Sequence, residues 1–209
     1  MQIGIIGSGN IGSTAARLFV DAGHEVAIAN SRGPETLASF VGELGDRARA
    51  ATVEDAARFG ELVLVAIRLG RHRELAPEPF AGKVVIDANN YYPSRDGNIA
   101  ELDDDTTTSS ELLAAHLPGA TVVKAFNTMN WKLLRDRGDP DVGDDRLALF
   151  VAGDDEDAKR RVSVLIEQIG FAPIDTGTLA EGERRQQPGS AVYAEPIAAR
   201  DAADALSGA

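Results

Sequence analysis

The sequence predicts an α/β fold of doubly wound type, a mostly parallel sheet with helices on both faces and a short C-terminal extension. Three observations carry that expectation. An apolar strand, Ile3-Gly4-Ile5-Ile6, runs directly into Gly7-Ser8-Gly9-Asn10-Ile11-Gly12, a Gly-x-Gly-x-x-Gly turn that opens a helical pattern. Residues 62–67, 83–88 and 121–125 are further apolar runs, as expected for parallel strands buried on both faces. Finally, 209 residues with 44% hydrophobic content suffice for one large domain with a real core.

The elements follow in order. Ile11, Ala15, Leu18, Phe19 and Ala22 recur at helical spacing after the glycine turn, and Gly23 supplies the stop. Residues 24–29 form a second strand. Pro34 then sits early in a helix that presents Leu37, Phe40, Val41 and Leu44 on one face. A short third strand at 48–51 precedes Thr52-Val53-Glu54-Asp55, the start of a short helix. Thr108-x-x-Glu111 forms a capping box for a helix over 112–117. The alternation continues with a strand at 146–152, a helix at 155–169 ended by Gly170, and a strand at 171–175. Residues 181–195, rich in Arg, Gln, Pro and Gly, read as irregular, and 196–206 as a terminal helix with Pro196 in its first turn. Residues 1–180 are thus expected to form a nucleotide-binding domain of Rossmann type, and 181–209 an extension packed on it or on a second subunit.

Composition narrows the function. A net charge of −12 and a pI near 4.7 disfavour nucleic acid and anionic membranes as partners. The absence of cysteine excludes disulfides, thiolate-bound zinc, iron-sulfur clusters and a cysteine nucleophile. His24, His72 and His116 lack metal-binding spacing, and the Asp103-Asp104-Asp105 run reads as a solvated loop, so no metal site is expected. No apolar run approaches the roughly 20 residues that span a bilayer. The fingerprint begins at the N-terminus with no room for a signal peptide, so a soluble, cytoplasmic protein is expected.

The glycines have separate physical tasks. Gly7 permits the tight turn, Gly9 lets the backbone approach a pyrophosphate, and Gly12 allows close packing of helix on strand. Backbone N–H groups of Ser8, Asn10 and Ile11 would face the phosphates. An NAD site would place a carboxylate at the end of the second strand for the ribose 2′-hydroxyl. This chain has Asn30-Ser31-Arg32 there, a hydroxyl and a planar fork of charged donors, which favours NADP(H). The alternative is that Arg32 is a solvated loop residue and Asn30 bonds the ribose.

Ligands in such sheets bind beyond the carboxyl ends of the strands. The glycine turn and the segments 68–72, 89–93 and 126–129 should converge there, with Ala66, Ile67, Arg68, Asn89 and Ala125 completing the nucleotide site. The same loops carry the candidates for chemistry, His72, Asn127 and Thr128. His72 is a general acid or anion contact, or else a solvated loop histidine. Asn127 is a substrate contact, or else the cap of a helix over 129–135. Tyr91 and Tyr92 can cover apolar surface beside Pro93. There is no Tyr-x-x-x-Lys pair and no nucleophilic triad. A nicotinamide carries its own hydride, so the protein's minimum task is to orient two redox partners. A planar redox acceptor fits this economy better than an alcohol or imine.

Gly7-Ser8-Gly9-Asn10-Ile11-Gly12, Asn30-Ser31-Arg32, Val122-Val123-Lys124-Ala125-Phe126-Asn127 and Val151-Ala152-Gly153-Asp154-Asp155 together resemble the NADPH-dependent reductases of coenzyme F420. A similar domain forms the cytosolic part of the six-transmembrane ferric reductases. The resemblance covers residues 1–180 and implies hydride transfer between NADP(H) and an 8-hydroxy-5-deazaflavin. It further implies that the deazaflavin stacks on the nicotinamide near Asn89, Phe126, Asn127 and Thr128, and that the protein is a homodimer. The loop with Arg71 and His72, the stretch Asn89-Asn90-Tyr91-Tyr92-Pro93 and the tail after Thr178 depart from the family pattern. These regions are expected to shape the acceptor pocket, which leaves coenzyme F420, a flavin, a quinone or another small molecule open. A reductase of another small molecule and a noncatalytic NADP(H)-binding sensor are the rival readings.

Overall fold

The strands are β1 (Gln2–Ile6), β2 (Glu25–Ala29), β3 (Ala48–Ala50), β4 (Leu62–Val65), β5 (Val84–Asp87), β6 (Thr121–Lys124), β7 (Ala148–Gly153) and β8 (Ala172–Gly177). In the computed structural model, which describes residues 1–207, they join in one sheet of order β3-β2-β1-β4-β5-β6-β7-β8. The helices are α1 (Asn10–Asp21), α2 (Ala38–Leu44), α3 (Val53–Phe59), α4 (Pro93–Asp96), α5 (Ala100–Asp103), α6 (Ser109–His116), α7 (Trp131–Asp136), α8 (Glu156–Gln168), α9 (Leu179–Arg184) and α10 (Ala202–Ser207). This is the Rossmann-type α/β architecture. The order reverses between β1 and β4, which opens a crevice at the carboxyl ends of those strands.

The central strands are buried on both faces because helices cover each. Ile3, Ile5 and Ile28 pack with Phe19 of α1, Leu134 of α7 and Val162 of α8. Val63, Val65 and Val85 pack on the other face with Ala56 of α3 and Leu113 of α6. Gly4 makes the second contact close: a Cβ there would lie 2.2 Å from the Ala56 carbonyl oxygen.

Four local expectations are corrected. The helix begun at Pro34 is divided into a 3-10 turn, Pro34–Leu37, and α2. The Thr36 hydroxyl bonds the Gly33 carbonyl at 2.7 Å, a local bond that competes with a regular first turn. Residues 181–195 are not wholly irregular, since α9 begins at Leu179 and is capped by Thr178, which accepts from the Glu181 N–H. Pro196 is not helical. Ala148 N donates to Ile197 O at 2.8 Å, so this stretch pairs with the start of β7 before a 3-10 turn and α10. Asp103 closes α5 rather than lying in an open loop, and accepts the Tyr91 hydroxyl at 2.7 Å.

Strand direction reverses once within the mostly parallel sheet. β7 runs antiparallel to β6, paired only through Val123↔Gly153 and Lys124↔Ala152, and β8 runs parallel to β7. This reversal brings α9 back beside β6 and α6. Val192 and Ala202, near the C-terminus, pack on Ala148 and Phe150 of β7. Residues 208 and 209 of the expected extension lie outside the described residues.

Candidate functional site

The glycine turn separates its three tasks geometrically. Gly7 has φ +111°, and a Cβ there would lie 2.2 Å from the Ala66 carbonyl oxygen, so only glycine lets the end of β4 pass so closely. A Cβ on Gly12 would lie 1.9 Å from the Gly7 carbonyl oxygen. Gly9 is different: a Cβ there meets nothing within 4 Å. Its missing side chain opens onto free space at the N-terminus of α1, where no side chain caps the helix. That is the cradle a pyrophosphate requires.

Asn30 ties the glycine turn to β2. Its Nδ2 donates to the Ser8 Oγ at 3.2 Å and its Oδ1 accepts the Arg32 N–H at 2.8 Å. These bonds occupy Asn30 and leave Ser31 and Arg32 exposed at the rim of a cleft of about 930 Å³. Gly7, Ser8, Gly9, Ala66, Ile67 and Arg68 line the same cleft.

A second cleft of about 390 Å³ continues from Gly9, Ala66, Ile67 and Arg68 toward Asn89, Asn127, Tyr92, Trp131 and Tyr193. Asn10 and Ile11 line it as well. The Asn89 Oδ1 accepts the Ile67 N–H at 2.8 Å, which orients the amide and leaves its buried Nδ2 without a partner. Asn127 is oriented in the opposite sense: its Nδ2 donates to the Gln186 carbonyl at 2.8 Å and to Asn90 Oδ1 at 3.2 Å, and its Oδ1 is unpartnered. Each orphaned atom costs about 1–3 kcal/mol. One donor and one acceptor beside a single cleft fit a carboxamide, so the residues present suit a nicotinamide dinucleotide.

Beneath this cleft lies a buried charge cluster. Lys124 Nζ donates to the Asn89 carbonyl at 2.6 Å, to Ser109 Oγ at 3.0 Å, and pairs with Glu183 at 3.1 Å and Asp87 at 3.4 Å. Glu183 also accepts from the Ser109 hydroxyl and from the Ser110 N–H at 2.8 Å. Asp87 accepts from the Ser110 hydroxyl at 2.6 Å and the Asn89 N–H at 2.9 Å. Burial alone would push the Lys124 ammonium down, but the Asp87 and Glu183 carboxylates outweigh it and hold its pKa above the usual value. Burial likewise opposes the Glu183 carboxylate, and Lys124 with the two serines holds it below the usual range. The cluster fixes the Asn89 backbone from below.

The 126–130 segment meets the C-terminal extension. Phe126 has φ +65° and is fully buried edge-on to Phe19, with ring centroids 6.0 Å apart, so it belongs to the core and not to the cleft. Thr128 is also buried, its carbonyl accepting the Ala194 N–H at 2.9 Å. Ala125 is part of the core, and Gly12 serves packing. Tyr193 reaches the cleft from the extension, its hydroxyl against that of Tyr92 and accepting from Asn90 Nδ2 at 3.3 Å. Burial and the Tyr92 hydroxyl push the Tyr193 phenol well above its usual pKa, so it stays neutral.

Of the residues expected near the acceptor, Asn89 and Asn127 line the smaller cleft, whereas Phe126 and Thr128 do not. His72 is neither solvated nor at the cleft: it is buried in the 3-10 turn Leu69–Glu74, donates from Nδ1 to the Leu69 carbonyl at 2.8 Å, and meets His116 edge-on at 5.5 Å. Within its loop, Arg68 lines both clefts, whereas Arg71, Glu74 and Leu75 line only the larger one. Asn127 caps no helix. Asn130 caps α7, accepting from the Lys132 N–H at 2.9 Å. Sequence reasoning missed Arg71, Tyr193, Lys124 and Glu183. A signal for Lys124 existed, since a lysine inside an apolar strand demands a buried counter-charge.

Fold and cleft together define a dinucleotide-binding protein of Rossmann type. Residues 2–91 match the family model described as NADP oxidoreductase coenzyme F420-dependent. Metalloreductase STEAP3 of Rattus norvegicus is 30% identical over 182 residues, 86% of this chain and 34% of that protein. The chain therefore spans about a third of the length of the curated relatives it matches. Among solved structures, a hypothetical protein from Sinorhizobium meliloti is 34% identical with a TM-score of 0.80, covering 95% of both chains. A protein from Arthrobacter sp. FB24, assigned as an F420-dependent NADP reductase, is 29% identical with a TM-score of 0.74, covering 95% of this chain and 99% of that one. Among the described residues, no helix is long and apolar enough to cross a membrane.

Proposed function

We propose that the protein is an NADP(H)-dependent oxidoreductase that passes hydride between the nicotinamide and a planar acceptor of the deazaflavin (coenzyme F420) or flavin class. The observation that carries this reading is the continuous pair of clefts meeting at Gly9, whose absent Cβ leaves room for a pyrophosphate between an adenosine end and a nicotinamide end. NADPH supplies the hydride when bound. The chain's own residues bind and orient. The α1 N-terminus and the turn take the phosphates, Ser31 and Arg32 take the 2′-phosphate, and Asn89 with Asn127 offer the donor and acceptor for an amide edge. Tyr92, Trp131 and Tyr193 wall the acceptor end, exclude water and present flat apolar surface to a ring system. In this reading the acceptor is a small molecule and the protein a cytoplasmic homodimer, the last checked by light scattering.

The test is a titration with NADPH followed by anaerobic addition of deazaflavin, FMN or FAD, with absorbance as the readout. Oxidation of NADPH by a deazaflavin or flavin supports the reading, and turnover only of a carbonyl or imine substrate replaces it with another reductase. Tight NADPH binding with no turnover of any acceptor replaces it with a nucleotide sensor. Arg32→Glu should lower the NADPH preference over NADH, and an unchanged ratio removes Arg32 from the phosphate site.

A further inference from the structure

We propose that Arg71 is a further nucleotide-specificity residue, a second guanidinium at the 2′-phosphate end, held ready by Glu74. The inference rests on the NADP(H) reading above. Arg71 comes from the 3-10 turn Leu69–Glu74 that follows β4, a segment separate from the Asn30-Ser31-Arg32 loop after β2. The two segments face each other across the larger cleft, and Arg71 spans the gap: its Nη1 donates to the Ser31 Oγ at 3.3 Å.

The guanidinium divides its donors by edge. Nε donates to Glu74 Oε1 at 2.9 Å, and Nη2 donates to Glu74 Oε2. That bidentate clamp uses one edge of the planar fork and fixes its plane, since the five N–H groups are rigidly related. Nη1 sits on the other edge, with one N–H toward Ser31 and a second N–H unused by either clamp. Glu74 therefore works as a positioning residue. It reduces the side-chain freedom that Arg71 loses when an anion arrives, and it leaves a donor edge beside Ser31 and Arg32.

A phosphate monoester has three terminal oxygens and close to two negative charges at neutral pH, so one arginine neither neutralises it nor fills its acceptors. Ser31, Arg32 and Arg71 together supply a hydroxyl and two cations. NADH carries a plain hydroxyl at the same carbon and gives Arg71 no anion to meet. The clamp also makes removal of Arg71 doubly unfavourable for NADPH, because the Glu74 carboxylate is then left without its partner on the same cleft wall.

Binding is measured without turnover by calorimetric titration with NADPH, NADH, adenosine 2′,5′-bisphosphate and 5′-AMP. Arg71→Ala is expected to raise the Kd for NADPH and the bisphosphate by about tenfold to a hundredfold, the loss of one charge-assisted hydrogen bond, with NADH and 5′-AMP nearly unchanged. Adding Glu74→Gln to Arg71→Ala should recover part of that loss by removing the stranded carboxylate. Equal weakening of all four ligands, or no weakening, overturns the proposal. Arg32→Glu serves as the reference. If wild-type protein prefers NADPH and Arg32→Glu abolishes the preference while Arg71→Ala keeps it, this proposal alone fails. If wild-type protein shows no preference, the NADP(H) reading falls and takes this proposal with it.

Discussion

Lys124→Met removes the only cation in a buried cluster while leaving most of its volume filled. Asp87 and Glu183 stay behind with side chains 0% and 2% exposed, and the Asn89 carbonyl loses its 2.6 Å donor. Stripping one partner from a buried pair costs about 3–5 kcal/mol, because the remaining charge keeps its desolvation penalty without compensation. Set against a total stability of about 5–15 kcal/mol, that is a large share. For a chain of this size it corresponds to a fall in Tm of roughly 6–20 °C. Urea unfolding followed by circular dichroism measures it directly. The pH dependence supplies a second check. In the wild-type protein the Glu183 pKa is held down, so its stabilisation is present above the usual carboxylate range and lost as pH falls through the lowered value. In the variant the Glu183 carboxylate loses Lys124, so its burial pushes it up instead and stability falls as pH rises above that range. Both effects make the gap between the proteins wider at about pH 7.5 than at about pH 5. A second substitution, Glu183→Gln, should recover part of the loss by halving the stranded charge. A loss below about 1 kcal/mol at neutral pH, or a gap that widens toward acid, would refute the argument that Lys124 offsets two buried charges.

Gly9→Ala should melt like the wild-type protein, since its Cβ enters open space, yet bind NADPH more weakly; unchanged affinity in titration would remove the pyrophosphate from that space. Gly12→Ala should lose stability and affinity together, because its Cβ would sit 1.9 Å from a backbone oxygen, and a normal melting curve would contradict this. Thr108→Ala should cost about 1 kcal/mol in urea unfolding by breaking the reciprocal capping box of α6. Asn130→Ala should cost a similar amount through α7, whereas Asn127→Ala removes no cap and should instead speed amide exchange around residues 186–194, where its tether to the Gln186 carbonyl is lost.

What the sequence by itself determined is what short-range physics controls. The Gly7-to-Gly12 turn, the Thr108–Glu111 box and the stop at Gly170 each depend on a few consecutive residues, and the buried strands announce themselves by continuous apolar runs. The composition of 181–195 masked α9, although Thr178-x-x-Glu181 repeats the spacing of the Thr108 cap. The partners of side chains were not legible. Whether His72 faces solvent or is buried against His116 depends on how residues far apart in the chain pack, and no local pattern records that. Likewise Asn127 is the cap that a helix over 129–135 would require, but the helix starts at Trp131 and Asn130 caps it. Only the tertiary structure decided that β7 reverses, and from that reversal come Glu183 beside Lys124 and Tyr193 in the smaller cleft. Periodicity reports which residues are buried. It carries no information on strand direction, because an apolar strand can complete its backbone hydrogen bonds in either sense.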